Sequence, residues 1–182
     1  MTASTAVPTM RGRGDSVPAV SFSLRRPGEW AKLTSEEIFA GRSVVVFAVP
    51  AAFSTSCSAR HLPGYVALAS NIKRMGIDEI LCVAVNDAFV INAWARDQGI
   101  DDEVTLLPDG NGDFTRAMGM LVDESGRGFG ERSRRYSMVV DNGVIRQIFI
   151  EDRNNGDDPV EVSDAITMLD YLDTTALRAA GE

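Results

Sequence analysis

Val44-Val45-Val46-Phe47-Ala48-Val49-Pro50-Ala51-Ala52-Phe53-Ser54-Thr55-Ser56-Cys57-Ser58-Ala59-Arg60-His61-Leu62-Pro63-Gly64 is the stretch from which the fold can be read. Its six opening residues are all apolar, the pattern of a strand buried on both faces. Beyond Pro50, Leu62, Tyr65, Val66, Ala69, Ile72 and Met75 recur at helical spacing, and Gly76 supplies the stop. A cysteine among hydroxyl side chains thus falls where a strand gives way to a helix. The first turn of a helix presents unpaired N–H groups and the positive end of its dipole. Both favour an anion, so Cys57 is expected to be a reactive thiolate. Pro63 cannot donate to the carbonyl four residues back, so the helix either kinks there or restarts with Pro63 in its first turn.

The flanking sequence repeats the strand-then-helix theme. Val20-Ser21-Phe22-Ser23-Leu24 alternates and predicts a short strand. Thr34-Ser35-Glu36-Glu37 is a capping box opening a short helix that Gly41 stops. Residues 79–85 read as a second buried strand, and Asn86-Asp87 cap a helix to about Gln98 carrying Phe89, Val90 and Trp94. Residues 104–107 predict a third strand, 108–110 a turn and 113–120 a short helix. Tyr136 to Val140, Asp141-Asn142-Gly143 and Val144 to Ile150 form the clearest hairpin signal in the chain. A polar loop, 152–158, leads to Ser163-Asp164, which cap a last helix bearing Ile166, Leu169 and Leu172. Strands alternating with helices, then a hairpin and a helix, predict an α/β domain with a mixed central sheet over residues 17–182. That order is the thioredoxin-like arrangement. Residues 1–16 read as a flexible N-terminal tail.

Composition narrows the function. The chain has 182 residues, enough for one sizeable core. Its net charge of −8 disfavours nucleic acid and anionic membranes as partners. No apolar run approaches the ~20 residues of a membrane span. Two cysteines are too few for a disulfide framework, which fits a reduced, cytoplasmic setting. His61 is the single histidine, so sites built on two imidazoles are excluded. Cys57, His61 and Cys82 show no metal-ligand spacing, and no metal or other cofactor is expected.

Each candidate has a bland alternative. Cys57 could be a small buried hydrophobe, but Ser54, Thr55, Ser56 and Ser58 surround it with hydroxyls. Cys82 lies between Leu81 and Val83 in a core strand and reads as inert. Absence of a C-x-x-C pair argues against dithiol exchange. His61, four residues after Cys57, suggests a Cys–His hydrolase, or simply an imidazole that makes a local hydrogen bond or lines the pocket. Arg132-Ser133-Arg134-Arg135 could be a solvated basic patch. Arg135, however, immediately precedes a buried strand, and an arginine aimed at Cys57 would favour the thiolate.

Pro50-x-x-x-Ser54-x-x-Cys57 resembles the peroxiredoxin signature Pro-x-x-x-Thr/Ser-x-x-Cys. Longer matches run through residues 49–53, 57–65, 85–90, 114–122, 135–140 and 161–165. Together they resemble the type-five, or type II, subfamily, above all bacterial members that use glutathione or glutaredoxin, including those fused to a glutaredoxin domain. The resemblance implies a thiol-dependent peroxidase that reduces hydrogen peroxide and alkyl hydroperoxides through a Cys57 sulfenic acid. It gives Ser54 the role of hydroxyl partner to the thiolate and peroxide, and Arg135 that of stabilising thiolate and departing oxygen. Pro50 would shield the pocket, which Phe53, Ser56 and His61 would line. A homodimer is implied.

Two departures accompany the resemblance. Ser54 replaces the usual threonine, keeping the hydroxyl without the methyl that restricts its rotamer. Ala51 replaces a glycine, which requires a negative φ at that position. The segment 151–160 carries no resolving cysteine, so the resemblance implies a one-cysteine enzyme regenerated by an external thiol: glutathione or glutaredoxin, with thioredoxin as a further option, acting in trans. A peroxide-sensing redox switch or binding protein on the same fold is the alternative.

Overall fold

The computed structural model describes residues 9–154 and 158–180. β1 (Ser21–Arg26) and β2 (Glu29–Thr34) form an antiparallel hairpin. Thr34 then caps α1 (Ser35–Phe39). Its hydroxyl accepts from the Glu37 N–H, and the Glu37 carboxylate accepts from the Thr34 N–H. This reciprocal pair is what Thr-x-x-Glu provides. β3 (Ser43–Val49), β4 (Glu79–Ala84) and β5 (Thr105–Pro108) run parallel. α2 (Leu62–Arg74) and α3 (Ala88–Asp97) connect them. α4 (Asp113–Ala117) and a small hairpin of β6 (Leu121–Asp123) and β7 (Glu131–Ser133) follow. β8 (Tyr136–Asp141), β9 (Val144–Ile150) and α5 (Ala165–Ala180) complete the chain.

The central sheet has the order β5-β4-β3-β8-β9, with β8 antiparallel to β3 and to β9. It is the mixed, helix-flanked sheet of a thioredoxin-like fold. Residues 44–49 are buried throughout because both faces of β3 are covered. Val45, Phe47 and Val49 pack with Leu62, Tyr65 and Trp94; Val44, Val46 and Ala48 pack with Phe22, Phe39 and Phe114. A strand covered on both faces reads as a continuous apolar run, not an alternation.

Several expectations change in detail. Over its described part the expected tail, residues 1–16, is pinned. Arg11 donates its N–H to Met118 and its Nε–H to Ala117, and Gly14 N–H bonds Ile145. Gly119 permits this approach: its φ is +72°, and a Cβ there would stand 2.6 Å from the Met10 backbone. The same left-handed residue ends α4 near Ala117, short of the 113–120 expected from sequence. Phe89 and Ile166 face solvent, with Phe89 packed edge-on against the exposed Trp30 at 5.6 Å. Asn142 and Gly143 both have positive φ, the type I′ turn that Asn-Gly favours between twisted strands.

Candidate active site

The sheet register builds the site. Ala48, near the end of β3, pairs with Tyr136 at the start of β8. Arg135, one residue earlier, is thereby carried to the end of β3 where the cysteine loop begins. The loop turns into helix at Thr55, so Cys57 lies in the first helical turn. Ser58 N–H bonds the Ser54 carbonyl at 3.0 Å, closing that turn. Cys57–His61 is a π-helical turn, and Leu62 N–H reaches back to the Cys57 carbonyl. α2 then continues with Pro63 in its first turn, which answers the question the proline raised. A π-turn adds one residue to the helical ring and re-aims the side chains before it.

Cys57 is fully buried, and Arg135 Nη2 donates to its Sγ at 3.4 Å. A guanidinium donating to sulfur is the kind of contact that an activated cysteine uses. Cys82 accepts no such hydrogen bond among the described residues: burial, then the nearby Cys57, push its thiol well above the ordinary range against a smaller opposing pull from Arg135. The Arg135 guanidinium is itself almost completely enclosed. Its Nη1 meets His61 Nδ1 at 3.0 Å, its Nη2 also forms an ion pair with Asp158, and its Nε is buried with no partner among the described residues.

The tautomer of His61 follows from its neighbours. A guanidinium can only donate, so Nδ1 accepts from Arg135. A carbonyl can only accept, so Nε2 donates to Ser163 O at 3.0 Å. Burial, then the Arg135 charge, lower the imidazole to about 4. His61 is therefore neutral at physiological pH with both nitrogens committed, leaving no lone pair for the proton transfer a Cys–His hydrolase needs.

Ser163 O also accepts from Tyr65 Oη at 2.9 Å, and the Tyr65 ring stacks on Phe47 at 4.0 Å. Glu151 fixes this corner. Its Oε1 accepts from the N–H groups of Glu161, Val162 and Ser163 and from the Ser163 hydroxyl, at 2.7–2.9 Å. Burial pushes its carboxyl upward, but these bonds outweigh it and hold the group below the usual carboxylate range.

A cavity of about 670 Å³ opens beside this cluster, lined by Pro50, Phe53, Ser54, Ser56 and Arg135 among others. His61 lies behind it, in the core. The Ser54 hydroxyl donates to the Ala51 carbonyl at 3.0 Å; no hydrogen bond joins it to Cys57 among the described residues. Ala51 is not among the residues with positive φ, so the missing glycine costs nothing there; Phe53 is, at +62°. Strain of that kind in a bulky residue collects at functional loops. Asn86 Oδ1 accepts from Ala52 N–H, and Trp94 Nε1 donates to Ser58 Oγ, bracing the loop from β4 and α3. The sequence does not single out Asp158 or Glu151, and it marks Asn86 and Trp94 only as a helix cap and a helix residue, whereas Asp87 alone caps α3 through its side chain. A smaller cavity beside Trp30 and Asp87 contains Asp109, but both carboxylates are used in capping α3 and α4.

The Redoxin family model matches residues 13–169. The hybrid peroxiredoxin hyPrx5 of Haemophilus influenzae is 50% identical over 159 residues, which are 87% of this chain and 65% of the relative. The chain belongs to the peroxiredoxins, in their type-five branch. A Synechocystis peroxiredoxin is also 50% identical, over 87% of this chain and 89% of its own. The chain thus spans a little under two thirds of the Haemophilus hybrid and most of the Synechocystis protein. Reduced Prx3 from Vibrio vulnificus, crystallised with hydrogen peroxide, superposes with a TM-score of 0.84 at 40% identity, over 91% of this chain and 98% of that one. Thiol-dependent reduction of peroxides is the reaction of the family.

Proposed function

We propose that this chain is a thiol peroxidase acting through Cys57. The thiolate attacks the terminal oxygen of a hydroperoxide. An S–O bond forms as the O–O bond breaks, the sulfur is oxidised to sulfenic acid, and the alkoxide or hydroxide leaves and takes up one proton. The observation that carries this reading is the Arg135–Cys57 contact at 3.4 Å inside a buried site. One guanidinium there can stabilise the thiolate before reaction, while its unpartnered Nε is a donor for the oxygen on which charge develops. Ser54, donating to Ala51, keeps lone pairs to accept from the peroxide hydrogen. Pro50, Phe53 and Ser56 wall the pocket.

The sulfenic acid is reduced by an external thiol. Glutathione condenses with it, water leaves, and a second thiol, from glutathione or glutaredoxin, releases Cys57 from the mixed disulfide. The buried position of Cys82 supports a cycle without an internal partner. The protein works as a cytoplasmic homodimer, for which the exposed Trp30–Phe89 pair offers apolar surface. Coupled assays with hydrogen peroxide and glutathione, with and without glutaredoxin, test the reading. Turnover lost in Cys57→Ser is expected; turnover that survives in this variant sinks it. Rapid oxidation with no turnover on any thiol would favour the redox switch.

A further inference from the structure

We propose that the cavity beside Cys57 selects organic hydroperoxides that carry a carboxylate, and that Arg134 binds that carboxylate. The proposal rests on the peroxidase reading above. The chain as a whole carries a net charge of −8, yet this cavity is lined by five arginines against three carboxylates. The three carboxylates are already engaged. Glu124 pairs with Arg153, Asp158 pairs with Arg135, and Glu151 accepts the N–H groups of residues 161–163. The positive excess therefore falls on Arg132 and Arg134, neither of which is ion-paired among the described residues.

These two differ. Arg132 donates to the carbonyls of Val85 and Glu131, which ties it to the wall. The Arg134 side chain makes no hydrogen bond among the described residues; only its backbone is engaged, its N–H with Met120 O and its carbonyl with the Ser133 hydroxyl. A guanidinium with its donors unspent matches a carboxylate bidentately. Phe53 and Phe129, both about half exposed, give the cavity apolar and aromatic surface. Hydrogen peroxide needs neither such volume nor such charge. An apolar body ending in a carboxylate uses all three features: rings for the body, Arg134 for the acid, and Arg135 and Cys57 for the peroxide. The reaction is the one already written, with the terminal oxygen passing to sulfur and a carboxylated alcohol leaving.

The test is single-turnover oxidation of the reduced full chain, without added thiol, by cumene hydroperoxide and by its para-carboxylate. The carboxylate should react about tenfold faster than its neutral parent at low salt, and the advantage should shrink at high salt. Arg134→Gln should bring the ratio close to one, and Arg134→Lys should restore part of it. A ratio near one in the wild type overturns the proposal, as does a ratio that persists in Arg134→Gln, whether or not Arg132→Gln lowers it. If Arg134→Gln instead slows only the reduction of oxidised Cys57 by glutathione, the arginines serve the carboxylates of the reductant and the proposal falls. A wild-type chain that hydrogen peroxide fails to oxidise refutes the peroxidase reading itself, a separate result.

Discussion

Arg135 Nη1 donates to His61 Nδ1 at 3.0 Å, so the guanidinium that meets Cys57 is seated on an imidazole that must stay neutral. Protonation of His61 would break that seat and set two cations against each other. The folded imidazole titrates at about 4 against an ordinary 6.5. Between those values the unfolded chain binds the extra proton, so stability rises with pH. The contribution of His61 is complete above 6.5 and lost as pH falls toward 4, and it amounts to roughly 3 kcal/mol. Urea unfolding at pH 7 and pH 5 should show about 2 kcal/mol of that loss in the wild type and a flatter dependence in His61→Gln. Equal slopes in both would contradict the assignment.

Asp158 shares Nη2 of Arg135 with the Cys57 sulfur. A second anion on one donor nitrogen works against the thiolate. Asp158→Asn should therefore speed alkylation of Cys57 by iodoacetamide at pH 6, by about threefold given the partial exposure of the carboxylate. A slower reaction would mean that Asp158 is needed to hold Arg135 in place.

These two residues mark the boundary of what the sequence discloses. The buried strand 44–49, the capping box at Thr34, the Asn-Gly hairpin and the strand-to-helix position of Cys57 are local patterns, and each is legible within a few residues. Arg135 was legible too, because a strand register fixes what precedes it. Asp158 and Glu151 were not, since their partners lie 23 and 10 to 12 residues away and no periodicity links them. β2 escaped detection because its apolar face is only Ala31 and Leu33, both partly exposed, while Trp30 lies on the opposite face in solvent. The π-turn left only Pro63 as its trace. Phe53, with φ of +62°, occupies a conformation its residue type argues against.

Glu151 holds the 161–163 corner with a single buried oxygen that accepts four hydrogen bonds. Glu151→Gln leaves one acceptor but removes the charge, and should cost about 2 kcal/mol in chemical denaturation. Because the corner carries the Ser163 carbonyl that fixes the His61 tautomer, peroxide reactivity should fall with it. Denaturation unchanged from wild type would show the carboxylate to be dispensable.

Cys57 is proposed to take oxygen from peroxide without a disulfide partner. Intact mass after one equivalent of hydrogen peroxide, without added thiol, measures this directly on the wild type, Cys57→Ser and Cys82→Ser. A gain of one oxygen in the wild type and in Cys82→Ser, absent from Cys57→Ser, is the predicted result. A loss of two hydrogens in the wild type that vanishes in Cys82→Ser would mean a Cys57–Cys82 disulfide and contradict it.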